Sequence, residues 1–452
     1  MSRYLTTRRG FLAGLGAVAV GAGLAACGGS DSGSGSSSAK ATGNADAVDA
    51  ALKKGGTITY WSWTPSGKDQ VAAFMKKYPN VTVKLVNPGT AATTYTKLQN
   101  AITAKSGVPD VCQIEYYALA QFALPGALYD LNQVGFGSFK TDYSTGPWGS
   151  VNQNNKLIGL PQDSGPMAMF YNKEVFDKHK LTVPKTWDEY VEVAEKLHAA
   201  DPKAWITSDS GDAGFTTSMI WQAGGKPFKA SGTDVTINLA DEGTKKWTAV
   251  WNKLVEGKLL SQIAGWSDEW FQGLGNGTLA TLLSGAWMPG NFIASVAAGK
   301  GKWRVAPMPT YDGTAVNAEN GGSAQCVMAQ SQNSALAAGF LRWLNHEQES
   351  IDIFMKSGGF PSTTKDLQSS DFLSDAPEYF GGQKINEVLA AGAKNVRSGW
   401  QYLPYQVYGN SVFADTVGQS YAKFTSLDTG LANWQKALVE YGNKQGFTVK
   451  TA

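Results

Sequence analysis

Apolar and polar residues alternate over Thr57-Ile58-Thr59-Tyr60-Trp61, the period of a strand with one face turned inward. Val71, Phe74, Met75 and Tyr78 then recur at helical spacing until Pro79-Asn80 stops them. Val81 to Val86 predicts a second strand, and Tyr95, Leu98, Ala101 and Ile102 the buried stripe of a second helix. Pro109-Asp110 opens a third strand, which carries Cys112. Such a βαβαβ succession predicts an α/β layer on a largely parallel sheet. Between Asn154 and Tyr171 two extended runs surround Pro161 and Pro166. The pattern then turns helical: Thr186-Trp187-Asp188-Glu189 reads as a capping box, with Trp187, Tyr190, Val191, Ala194 and Leu197 as the buried stripe. Further amphipathic helices begin near Ser334 and near Gly430.

The first residues follow a different logic. Arg3, Arg8 and Arg9 precede an apolar stretch from Gly10 to Leu24, too short and too rich in glycine for a comfortable membrane span. This predicts a signal peptide over 1–26. Leu24-Ala25-Ala26-Cys27 looks like a bacterial lipobox, which makes Cys27 the lipidated new N-terminus, and Thr7-Arg8-Arg9-Gly10-Phe11-Leu12 resembles the twin-arginine export motif. Acyl chains on Cys27 would anchor the protein to the outer face of the cell membrane. Residues 27–55 are small and polar and read as a flexible leash.

Composition narrows the choices. The 452 residues include 39 Lys+Arg and 37 Asp+Glu, and 42% are hydrophobic, enough for a large core. Removing 1–26 takes three arginines and no acid, leaving 36 bases against 37 acids. That balance offers no basic field for a phosphate backbone, and nucleic acid is excluded as a partner. Cys112 and Cys326 are the two cysteines of the body. Outside the cytoplasm a bridge between them is one reading, and two buried thiols acting as small hydrophobes the other.

The aromatic residues carry the candidate chemistry. Trp61 and Trp63 lie at the carboxyl end of the first predicted strand, and Glu115, Tyr116 and Tyr117 at that of the third, the edge where ligands bind open α/β sheets. Trp221, Trp266, Trp287, Trp400 and Tyr402 lie beside small or polar residues in the second half. Flat aromatic platforms rimmed by carboxylates and amides suit a pyranose, with stacking contributing roughly 1–2 kcal/mol per covered face. Core packing is the alternative for each of these rings.

Several segments together resemble the extracellular solute-binding proteins of ABC importers, in particular the sugar-binding group. They are Tyr171-Asn172-Lys173, Val183 to Glu189, Asn276-Gly277-Thr278-Leu279-Ala280, Gly321-Gly322-Ser323-Ala324 and Gly358-Gly359-Phe360-Pro361-Ser362, in the expected order over about 56–448. The resemblance implies a two-lobed periplasmic-binding-protein-like α/β fold, with hinge strands and a sugar bound in the interlobe cleft. By analogy the first crossover falls near Gln162 to Met169 and the return near Trp303 to Pro309. One lobe then comprises 56–165 plus 304–356, and the other 166–303 plus 357–452. The resemblance also makes Asp163, Trp287 and Phe360 cleft candidates, and implies a monomer that delivers a carbohydrate, an oligosaccharide given the number of rings, to membrane permease subunits.

The sequence shows no nucleophile elbow, phosphate loop, dinucleotide fingerprint or zinc-protease motif. No enzymatic activity, cofactor or metal is expected. Two other classes stay open: a binder of a peptide or polyamine, and a tethered glycoside hydrolase working with a pair of the 37 acids.

Overall fold

The computed structural model describes residues 45–452, so the signal segment, the twin arginines, Cys27 and most of the leash lie outside the described residues. The end of the leash does not, and there the expectation of flexibility is corrected. Ala45–Lys54 is an α-helix with Val48 and Leu52 buried. These two apolar residues are four apart on one helical face, a period hidden among alanines and charges. The helix packs on the helix Ser334–His346, where Gly339 leaves room for Leu52, and Asp49 pairs with Arg342 at 2.6 Å. Among the described residues no helix is long and apolar enough to cross a membrane.

The βαβαβ reading holds. Strands β1 (Gly56–Trp61), β2 (Val81–Val86) and β3 (Val111–Glu115) alternate with helices Gly67–Lys77 and Ala91–Ala104, and β1 lies between β2 and β3, parallel to both. The sheet is mixed because Ser323–Val327 inserts antiparallel between β3 and the short strand Leu160–Pro161. One core lies on this sheet, built from residues such as Ile58, Phe74, Leu98, Ile114, Phe340 and Trp343.

Cys112 and Cys326 are opposite one another in this sheet and both are free thiols, so the bridge reading gives way to the buried-thiol reading. The hydrogen bonds from Met328 N to the Asp110 oxygen and from Tyr116 N to the Gly322 oxygen put this pair at a hydrogen-bonded position of the ladder. Side chains stand farther apart there than at the alternate positions.

The second lobe is organised by Met167–Asn172, flanked antiparallel by Thr281–Gly285 and Trp303–Ala306. Both faces of the central strand are buried, each in its own core. Met167 and Met169 pack with Trp187, Trp247, Trp251 and Trp434, whereas Ala168 and Phe170 pack with Phe292, Trp303 and Phe380. The expected capping box is present at the start of Trp187–Ala200, with Thr186 and Glu189 exchanging bonds. A small third sheet joins Phe228–Ser231, Asp234–Ile237 and Thr448–Thr451.

The chain leaves the five-stranded sheet after Pro161 and enters the second lobe at Met167. The return expected near Trp303 to Pro309 is corrected. Trp303–Ala306 is a strand of the second lobe, because its alternating Trp303 and Val305 bury in that lobe's core. The crossover lies later, where Asn320 N donates to the Gly165 oxygen at 2.7 Å and Ser323 then pairs with Glu115. The two crossing segments approach so closely that a Cβ on Gly165 would lie 2.1 Å from the Asn320 oxygen.

Candidate functional site

A cleft of about 440 Å³ opens where the carboxyl ends of β1 and β3 meet the second lobe, within the ~300–1,000 Å³ usual for small-molecule sites. Its first wall is Trp63 in the loop after β1. Gln113, a polar residue inside a strand buried on both faces, fixes that loop: its Oε1 accepts from Ser62 Oγ at 2.8 Å, Trp63 N at 3.1 Å and Thr64 Oγ1 at 3.0 Å. The other end of the same amide donates to Ser323 Oγ at 3.1 Å. Gln162 Nε2 donates to Thr64 Oγ1 at 2.9 Å, and Gln162 Oε1 accepts from Gln325.

Three carboxylates face this wall: Glu115, Asp163 and Asp212. Tyr95 OH donates to Glu115 Oε2 at 3.0 Å and accepts from Glu115 N at 2.8 Å. Burial raises the Glu115 carboxyl to about 7, against the lowering effect of the Tyr95 and Tyr117 hydroxyls. Asp163 Oδ1 accepts from Ser323 N at 2.7 Å and from Ser323 Oγ at 2.9 Å, and burial still raises its carboxyl to about 6. Asp212 caps the helix Ala213–Gln222 by accepting from Phe215 N at 2.6 Å.

The opposite wall is aromatic. Trp287 ends the turn after the strand Thr281–Gly285, and its indole N–H donates to the Asn320 oxygen at 2.6 Å. Gly285 and Gly321 lie so close to the indole that a Cβ on either would fall within 3 Å of Nε1. Trp266 stacks on Trp287 with ring centroids 5.8 Å apart and planes 21° from parallel. Its φ is 67° and its side chain is 56% exposed. A bulky residue in the left-handed region costs about 1–3 kcal/mol, and such strain concentrates at ligand sites. Phe271, Asn291, Phe354 and Gly358 complete the rim.

Of the twelve candidates read from the sequence, the cleft brings together Trp63, Glu115, Asp163, Trp266 and Trp287. The other seven lie outside its lining. Trp61 is the last paired residue of β1 and its ring packs on the first lobe's core. Tyr116 is buried and donates to the Asp163 oxygen at 2.7 Å. Tyr117 packs edge-on between Tyr95 and Tyr402. Trp221 stacks on Trp400 at 5.2 Å and donates to the Arg397 oxygen, and Trp400 meets Tyr402 edge-on. Phe360 is buried against Phe372. Sequence reasoning missed Gln113, Gln162 and Asp212. The signal for Gln113 was an uncharged polar side chain in a fully buried strand, and for Asp212 an N-cap residue after Ser210-Gly211.

Comparison with known proteins adds the kinship. The family described as bacterial extracellular solute-binding protein matches residues 60–351. An arabinooligosaccharide-binding protein of Bacillus subtilis is 26% identical over 351 residues, 74% of this chain and 79% of that one. A lactose-binding protein of Rhizobium radiobacter is 23% identical over 73% of this chain and 80% of its own. Among solved structures, the ABC transporter associated binding protein of B. animalis subsp. lactis, in complex with beta-1,6-galactobiose, superposes with a TM-score of 0.84 and 46% identity, covering 87% of this chain and 99% of that one. The galacto-N-biose-/lacto-N-biose I-binding protein of Bifidobacterium longum gives a TM-score of 0.77 at 26% identity, over 88% and 99% of the two chains. With a family match over more than half its length, two lobes and a cleft between them, the chain belongs to the bacterial extracellular solute-binding proteins.

Proposed function

We propose that this protein captures a short oligosaccharide of the galactobiose type in the cleft and delivers it to the permease subunits of an ABC transporter. The observation that carries the reading is the cleft itself, with Trp63 on one wall, Trp266 and Trp287 on the other, and carboxylates between them. Aromatic faces cover the apolar C–H faces of a pyranose, and carboxylates accept from its hydroxyl rim. The 46% identity to a chain complexed with beta-1,6-galactobiose supports this choice of ligand. The protein acts as a monomer, held by lipid on Cys27 to the outer face of the membrane. Its lobes comprise about 45–161 plus 323–353, and about 167–318 plus 360–452. Ligand bridging the two lobes favours a closed arrangement by its differential affinity.

The test is titration of the soluble protein with β-1,6-galactobiose, lactose and arabinooligosaccharides, followed by Trp fluorescence and melting temperature. A saturable emission change with a concentration-dependent rise in Tm supports the reading. No response to any saccharide overturns it, and release of monosaccharide would make the protein a glycoside hydrolase. A second reading, a polyamine site, is favoured by the three acids facing the cleft without a basic neighbour among its described lining residues. Spermidine binding that weakens sharply with salt would support it.

A further inference from the structure

We propose that the cleft discriminates by charge: it accepts an uncharged saccharide and refuses one that carries a carboxylate, sulfate or phosphate. This rests on the reading of the cleft as a saccharide site. Its charged lining residues are Glu115, Asp163 and Asp212, and no Lys, Arg or His is among the described lining residues.

Two backbone donors that an anion would use at the cleft are taken by the chain's own carboxylates. A helix N-terminus with free N–H groups attracts anions. At the cleft the N-terminus of Ala213–Gln222 is capped by Asp212, which takes the Phe215 N–H. The backbone N–H of Ser323 at the crossover, another natural anion donor, is given to Asp163. Part of the neutral donor capacity is committed as well. Gln113 gives one of its two amide N–H groups to Ser323, Gln162 gives one to Thr64, and Asn291 Nδ2 points back to the Trp287 oxygen at 3.4 Å.

The charged groups that the lining turns to the ligand are all acceptors when ionised. An ionised carboxylate only accepts and offers about four lone-pair sites, of which Ser323 takes two at Asp163. The complementary ligand is therefore rich in donors, as hydroxylated rings are. A ligand carboxylate would bring a further negative charge among three others in a half-buried site, where repulsion is screened far less than in water.

The test compares β-1,6-galactobiose with the same disaccharide oxidised to the uronate at C6 of its terminal ring, by calorimetry at pH 7.5 and low salt. The expected result is binding of the uronate at least about 100-fold weaker than the neutral sugar. The 6-deoxy analogue, neutral and lacking the same hydroxyl, is expected to bind at least about tenfold better than the uronate, which separates charge from a lost hydrogen bond. The deficit is expected to narrow in about 0.5 M salt and in Asp212→Asn, where Asn retains the helix cap. Uronate binding within threefold of the neutral disaccharide, or a 6-deoxy analogue as weak as the uronate, overturns the charge rule and leaves the saccharide reading intact. Failure of every neutral saccharide to bind overturns both.

Discussion

The indole N–H of Trp287 donates to the carbonyl oxygen of Asn320 at 2.6 Å, and the Asn320 N–H donates to the Gly165 oxygen at 2.7 Å. The aromatic wall of the cleft is thereby bonded to both crossing segments between the lobes. Trp287→Phe keeps an apolar face but leaves the Asn320 carbonyl without its donor, at a cost of about 1 kcal/mol, and a loss of saccharide affinity of about fivefold is expected. Trp287→Ala removes the platform too and is expected to lose at least about 100-fold. Parent-like affinity of Trp287→Phe, measured by fluorescence titration, would show that the bond to the crossover has no share in binding, and equal losses in the two variants that the platform has none.

Trp61 and Trp63, two residues apart, are expected to separate in their effects. Trp63 lines the cleft, whereas Trp61 packs on the first lobe's core. Trp63→Ala should weaken binding at least tenfold with little change in Tm. Trp61→Ala should lower Tm and alter affinity less than threefold. The reverse pattern in paired titrations and melts would move the site to the other side of the strand end.

Four carboxyls make the dependence of stability on pH unusual. Burial raises Glu115 and Glu319 to about 7, and Asp163 and Asp209 to about 6, where the unfolded chain titrates near ~4. From about pH 4 to 7 the folded chain binds more protons than the unfolded one. The stability linked to these groups is therefore fully present below about pH 4 and is lost as pH rises through 6 and 7. Tm is expected to rise by at least about 2 °C between pH 7.5 and 5.5, and Glu319→Gln should reduce the rise. A Tm that falls over the same interval in both proteins would refute the assignment.

The helix Ala45–Lys54 is expected to belong to the cooperative unit of the first lobe. Leu52 is 5% exposed and packs against Gly339, so Leu52→Ala should cost about 2–4 kcal/mol. Asp49, in its exposed pair with Arg342, should cost less than about 1 kcal/mol when changed to Ala. Urea melts of both variants test this. A Leu52→Ala protein as stable as the parent would mean that the helix is only loosely docked.

Much of this architecture was legible in the chain because periodicity and burial agreed. The alternation over Thr57–Trp61 and the stripe Val71, Phe74 have one solution each, and the capping box at Thr186 named its helix start. Ala45–Lys54 was not legible, since two buried residues among alanines and lysines carry too little apolar signal to outweigh a polar composition. The site was half legible. A strand-end position pointed to Trp63, and small or polar neighbours to Trp266 and Trp287, but the latter rule also admitted Trp221 and Trp400, which satisfy each other by stacking at 5.2 Å. Whether an aromatic ring faces a ligand or another ring is decided by partners hundreds of residues away, and spacing along one chain does not contain that. Gln113 shows the same limit: its importance lies in four bonds to residues around 62 and 323.

The insertion of Ser323–Val327 between β3 and Leu160–Pro161 sets the timetable on which this protein can be made. During synthesis β3 and the two-residue strand Leu160–Pro161 emerge from the ribosome more than 150 residues before the strand that separates them. Until then the inner edge of β3, with Cys112 on it, has no neighbour to pair with. The second lobe's central strand is made in that interval, but Trp434 of its core and the strand Thr448–Thr451 follow only after Ser323–Val327, so the middle of the chain waits for its end as well. Such long-range pairing makes folding slow and leaves an open strand edge exposed to other chains.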